Sequence, residues 1–281
     1  NLEWRDKTES GFEYNVGVNM STIRNRMTKL NGGTPISDGP FRNGSMYLTY
    51  TNEGMPIGAF WGYKTDGLIQ TQEQLNAVKR ADFQPNAELG DVLFVDTNGD
   101  GKLDSSDRCM IGNPIPDIIY GINMGMAWKG FDLNLQFGGT IGNQIFNAMR
   151  YYTYFPNDIT NKDRALMNYW TPNNTNTDIP RLTATDVNDN DRFSDMYVEN
   201  GTYFRLRNAQ LGYTLPASLT QRIKLQKVRF YVSGQNLFTI SSYSGMDPEV
   251  GQSSSLSRGI DYGIYPQNLS LIHISEPTRP E

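Results

Sequence analysis

The strongest constraint on this chain is a strict period of two. From Ile118 to Trp128 the even positions are Ile118, Tyr120, Ile122, Met124, Met126 and Trp128, and the odd ones are Ile119, Gly121, Asn123, Gly125 and Ala127. Successive side chains on a strand point to opposite faces, so this run has one large apolar face and one small or polar face. Phe131, Leu133, Leu135 and Phe137 repeat the pattern against Asp132, Asn134, Gln136 and Gly138. Only Lys129 and Gly130 separate the two runs, the length of a tight hairpin turn. Phe12, Tyr14, Val16, Val18 and Met20 alternate with Glu13, Asn15, Gly17 and Asn19, and Val228, Phe230 and Val232 with Arg229, Tyr231 and Ser233. The stretch from Tyr203 to Leu215 is mixed at first. It then settles with Ala209, Leu211, Tyr213 and Leu215 on one side.

Two architectures produce such strands: a soluble antiparallel sheet with one wet face, and a membrane barrel. Each run is about the 9–11 residues a tilted strand needs to cross a bilayer. Gly and Asn crowd the polar face as they would a water-filled lumen, and Trp128 and Tyr203 at run ends suit interfacial girdles. The expected fold is therefore all-β, part of an antiparallel transmembrane β-barrel. Composition agrees: 37% hydrophobic is low for a packed soluble core of 281 residues, while 12% is aromatic. A net charge of −5 disfavours nucleic acid as a partner. No stretch is apolar for long enough to make a membrane helix. Cys109 is the one cysteine and reads as a small, half-buried residue. The chain starts at Asn1 without an initiator methionine, which reads as a piece of something longer.

Barrels of this kind have short periplasmic turns and long extracellular loops. Lys129-Gly130 is then periplasmic, as is 216–226, while 54–117 and 142–202 lie outside the cell. The first outer loop holds a helix predicted over 72–81, with Thr71 and Gln74 spaced as a capping box. The second holds Tyr151, Tyr152, Tyr154 and Phe155, and an Asn/Thr/Asp-rich run over 171–192 that reads as a flexible, solvated loop.

Residues 96–107 read DTNGDGKLDSSD, the spacing of an EF-hand loop. Asp96, Asn98 and Asp100 would supply oxygens at positions 1, 3 and 5, and Gly101 the sharp turn at position 6. Lys102 would offer its backbone carbonyl, Asp104 position 9, and Asp107 position 12, where Glu is usual. A hard cation needs hard oxygen donors, and the loop offers little else. The expectation is a structural Ca²⁺ that stiffens a surface loop, since no strong helix pattern flanks it.

The run from Gly90 to Asn147, GDVLFVDTNGDGKLDSSDRCMIGNPIPDIIYGINMGMAWKGFDLNLQFGGTIGNQIFN, resembles the C-terminal barrel of SusC/RagA-type TonB-dependent transporters. MPIGAFWGYKTDGLIQ at 55–70, VENGTYFRLRNAQLGYTLP at 198–216, VRFYVSGQNLFTISSYSGMDPEV at 228–250 and GIDYGIYPQ at 259–267 follow in the family's order. The resemblance covers nearly all of 1–267. It implies active import of oligosaccharides, peptides or other bulky nutrients across the outer membrane of Bacteroidetes. It also implies a SusD-like surface lipoprotein as lid, and TonB–ExbB–ExbD acting on an N-terminal plug that this sequence does not contain. The bottom-up alternatives are a passive porin, a barrel enzyme and a secreted calcium-stabilised β protein. An enzyme is disfavoured because no paired arrangement of acid and base is visible.

Residues 268–281 depart from the family. Leu269 to Arg279 spell LSLIHISEPTR, which matches the translation of a transposon-based sequencing adapter. The tail is expected to be non-native and His273, the sole histidine, with it. The sheet is then expected to be open and curved, lacking its closing strand, with the strand at 227–238 as a bare edge.

Overall fold

The structure is a computed structural model that describes residues 1–155, 161–251 and 254–278. Seven strands form one sheet: β1 (Leu2–Lys7), β2 (Glu13–Thr22), β3 (Ile118–Trp128), β4 (Phe131–Ile141), β5 (Tyr203–Thr214), β6 (Lys227–Ser241) and β7 (Ser270–Thr278). Every strand pairs with the next in the chain, always antiparallel. The result is an up-and-down meander, open at β1 and β7. Connections 8–12, 129–130 and 215–226 lie at one end, and the long ones, 23–117, 142–202 and 242–269, at the other.

The register carries the alternation across the whole sheet. Val16, Met124, Leu135 and Ala209 form one row, and Tyr14, Met126, Leu133, Leu211 and Val232 the next. This apolar face is bare: Leu211 is 54% exposed, Phe131 53% and Val232 50%. A soluble sheet buries such a face and wets the other, so the inside-out arrangement is that of a barrel wall. Trp128, Phe131, Tyr213 and Phe230 line up as an aromatic row at the short-turn end. Tyr120 and Phe204 stack at the other end, beside Phe137 and Phe238. From Tyr120 to Trp128 a strand rises about 27 Å at ~3.4 Å per residue. A tilt of ~40° leaves about 20 Å of depth between the girdles.

Tyr203 does not belong to the outer girdle. It pairs with Thr140 in the polar phase and is only 5% exposed. Phe204 takes the girdle position. The mixed start of this strand has a structural cause: a bulge at Arg207, where the register skips between Leu206 and Asn208. One extra residue shifts the phase, so Phe204 and Leu206 share a face with Ala209 and Leu211. Gly139 sits on the same face under the Tyr120 ring. A Cβ there would lie 2.0 Å from the Tyr203 carbonyl and 2.5 Å from the Tyr120 hydroxyl, which donates to that carbonyl at 3.0 Å.

The tail corrects one expectation. The sheet is open, but β6 is not its edge, because β7 pairs with it from Lys227↔Thr278 to Gln235↔Ser270. In that register His273 is the partner of Val232 and Ser275 of Phe230.

The long connections fold into a crown with cores of its own. A four-stranded sheet (Ile36–Phe41, Met46–Thr51, Ala59–Gly62, Cys109–Gly112) packs near a three-stranded one in which Gln144–Asn147 links Val198–Asn200 to Ile260–Asp261. Phe41, Phe60, Phe146, Tyr151, Phe193 and Tyr197 meet in the main cluster. Tyr151 and Phe155 are buried there, within or beside the helix Ala148–Tyr154. Two of the four aromatic residues picked out in the sequence are therefore core. The predicted helix is present as α1 (Gln72–Arg80), with both halves of the Thr71–Gln74 capping box formed.

The Asn/Thr/Asp-rich run is not a solvated loop. Ile179, Asn188 and Asn190 are 3%, 5% and 2% exposed. Asn190 Oδ1 accepts from the Val92 amide at 2.8 Å and from Asn188 Nδ2 at 2.8 Å, and its Nδ2 donates to Asp91 and Asp186. Asp91, fully buried, pairs with Arg181 at 2.7 Å. Polar residues here satisfy the backbone of a buried strand end, which a composition rule reads as disorder. Gly90 fixes the same corner: its φ is +85°, and a Cβ would fall 2.2 Å from the Trp170 ring. Gly90→Ala is expected to lower crown stability by at least ~1 kcal/mol through left-handed strain alone. Faster protease cleavage in 171–192 would report it.

Candidate functional site

Two arrangements are candidates: the polar face of the wall and the loop 96–107. On the wall, glycines act as notches over which a neighbour's side chain lies flat. Asn15 Oδ1 lies 2.1 Å from where a Cβ of Gly125 would stand, and Asn19 Oδ1 2.7 Å from that of Gly121. Gly212 lets Arg229 reach Asp132 across the strand between them, at 2.6 and 3.1 Å. The polar face is thus smooth, with its charges mutually engaged.

At its long-loop end the polar face carries a buried charge cluster. Arg205, 2% exposed, donates to Asp247 at 2.5 Å, Glu249 at 2.8 Å and the Thr239 hydroxyl at 2.8 Å. Arg207 donates to Glu249 and to the Tyr203 hydroxyl, each at 3.1 Å. Asp247 also accepts from the amides of Gln267 and Glu249. Burial pushes its carboxyl up, but these amides and Arg205 outweigh that and hold it below the usual carboxylate range. The sequence reading missed the cluster. Its only signal was two arginines in a strand otherwise free of charge and an Asp-Pro-Glu after the last alternating run.

The loop 96–107 connects the buried strand Val92–Phe94 to Cys109–Gly112 through a 3₁₀ turn at Ser105–Asp107. Gly101 has φ +78°, as the sixth position demands, and its amide reaches Asp96 Oδ2 at 2.8 Å. The Gly101 and Gly99 amides hold the Asp96 carboxyl below the usual range, and the Ser106 amide does so for Asp104. Asn98 accepts from the Asp100 amide and Asp100 from that of Lys102, at 2.8 and 2.9 Å. Asp107 is buried and accepts from the amides of Thr97 and Asp104, both at 3.0 Å. The donors are all oxygen, the chemistry a hard divalent cation takes. They engage the loop's own amides rather than a common centre. Among the described residues no group of three or more acidic, His or Cys side chains stands close enough to hold a metal. Cys109 is free and half-buried, and burial pushes its thiol up.

Bare apolar rows, two girdles and long connections gathered at one end define the wall and outer loops of a membrane-spanning β-barrel. No family model matches the chain. It is 36% identical over 274 residues to TonB-dependent receptor P3 of Formosa agariphila, covering 93% of this chain and 26% of that protein. It is 27% identical over 262 residues to TonB-dependent receptor SusC of Bacteroides thetaiotaomicron, covering 93% of this chain and 24% of SusC. A solved structure of the RagAB peptide transporter overlays with a TM-score of 0.71 over 98% of this chain and 28% of that one, at 23% identity, a likeness of fold. The chain is a segment of a SusC/RagA-like TonB-dependent receptor. It spans about a quarter of the length of the curated relatives it matches.

Proposed function

We propose that this segment forms lumen wall and outer loops of an outer-membrane importer for bulky nutrients, oligosaccharides or peptides. The intact protein would be driven by TonB–ExbB–ExbD and capped by a SusD-like lipoprotein. The single observation that carries the reading is the inside-out sheet, with lipid as the partner of its bare apolar face. The reaction is passage, not bond chemistry, in keeping with relatives named TonB-dependent receptors. A passive porin has the same wall but needs no energy. The test is uptake of a labelled oligosaccharide or peptide library by cells expressing the intact receptor, with and without TonB. Import is expected to vanish without TonB, and undiminished uptake would mean a porin.

The loop 96–107 is proposed as a structural Ca²⁺ site held by Asp96, Asn98, Asp100, Asp104, Asp107 and the Lys102 carbonyl. Support comes from the oxygen-only donor set and the left-handed Gly101. Calorimetry on the intact protein is expected to show Ca²⁺ uptake that an Asp96→Ala/Asp100→Ala variant loses. Equal uptake by both would end the proposal.

A further inference from the structure

The short turns of the wall differ in charge. Glu9 is their one acid, and it lies in the first turn, 8–12. The second, 129–130, and the third, 215–226, hold Lys129, Arg222 and Lys224 and no acid, in a chain of net charge −5. These two turns are neighbours, since the Thr214 amide donates to the Gly130 carbonyl at 2.8 Å. All three cations are exposed, and none forms an ion pair among the described residues. Asp132, just past the second turn, is taken up by Arg229 on the polar face. The same turns border the aromatic row of Trp128, Phe131, Tyr213 and Phe230. Lys129 Nζ lies over the Trp128 ring, 4.5 Å from its centroid, which puts that ammonium on the apolar side of the wall. Leu219, 50% exposed, adds an apolar side chain to the third turn. Both lysines also stand where lysine is a poor choice. Their φ values are +47° at Lys129 and +56° at Lys224, left-handed positions that Asn or Gly fills with less strain. Asn-Gly is the favoured two-residue hairpin turn, so turn geometry does not account for a cation there.

We propose that Lys129, Arg222 and Lys224 form a docking site for the headgroups of anionic phospholipid in the leaflet at the short-turn end, the periplasmic one. The partner follows from continuity with the lipid-facing girdle and from charge. A phosphodiester offers the oxygens to which ammonium and guanidinium groups donate, and an anionic headgroup adds a net charge that a zwitterionic one lacks. The site holds the wall at a set depth, with Trp128 and Phe131 at headgroup level. It rests on lipid meeting the apolar rows and not on what the barrel transports.

The test is native mass spectrometry of the intact receptor in detergent, titrated with phosphatidylglycerol or phosphatidylcholine. The parent is expected to retain phosphatidylglycerol in preference. Lys129→Asn/Arg222→Gln/Lys224→Asn is expected to bind it more weakly, by about five-fold per charge removed. The variant is expected to keep the heat-dependent mobility of a folded barrel on SDS gels, because Asn suits both left-handed positions. Lys129→Arg/Arg222→Lys/Lys224→Arg keeps the charge and is expected to keep the retention. Lys64→Gln/Lys79→Gln/Arg80→Gln removes three exposed cations from the crown and is expected to change nothing. Equal retention of the two lipids by the parent, or equal loss in the crown variant, overturns the proposal. Either result beside an intact period of two in lipid exposure along β4 would leave the barrel reading standing.

Discussion

Leu135→Arg is expected to destabilise the barrel by about 2–4 kcal/mol, while Gln136→Arg, one residue on, is expected to cost close to nothing. The two positions lie mid-strand on β4, in register with Met124 and Asn123 of β3 respectively. Leu135 belongs to the apolar row that nothing among the described residues covers, and Gln136 to the polar row. An arginine at membrane mid-depth loses its hydration, whereas one on the lumen face keeps it. A soluble sheet would tolerate both changes on exposed faces, within ~0.5 kcal/mol. Denaturant unfolding of the intact receptor in lipid vesicles measures the difference.

Asn190→Ala has the second large expected effect, about 3 kcal/mol on the crown. The change strips the buried Val92 amide of its acceptor and removes one of the partners of Asn188 Nδ2, Asp91 and Asp186. A buried amide left without a partner costs ~1–3 kcal/mol, and weakening the network around the buried Asp91–Arg181 pair adds to it. Asn86→Ala, on the exposed side of the same fold, is the control and is expected to be neutral. Hydrogen exchange in 84–94 and 186–192 should rise in the first variant and not in the second.

The wall was legible in the sequence because period two is a local property that the fold does not alter. Ile118 to Trp128 and Phe131 to Ile141 are strands to the residue, joined at Lys129 and Gly130. Legibility fails where the backbone breaks the period. The extra residue at Arg207 reverses the phase, which blurred the start of β5 and put Tyr203 on the wrong face. The crown was illegible for a different reason. Asn188 and Asn190 look like solvent-facing residues, and only contacts with Gln84, Asp91 and Val92, about a hundred positions away, make them core. Asp247 and Glu249 carried only a weak local signal, since their partners Arg205 and Arg207 lie about forty positions earlier. The capping box of α1 is the opposite case: a motif complete within four residues was read correctly.

The most direct test of the account is which face of the wall meets lipid. Nitroxides placed singly from Leu133 to Phe137 in the intact receptor, reconstituted in bilayers, can be probed with dissolved oxygen and with a water-soluble nickel chelate. Oxygen accessibility is expected to peak at Leu133, Leu135 and Phe137 and to fall at Asn134 and Gln136. Peaks at Asn134 and Gln136, or no period of two, would contradict the account.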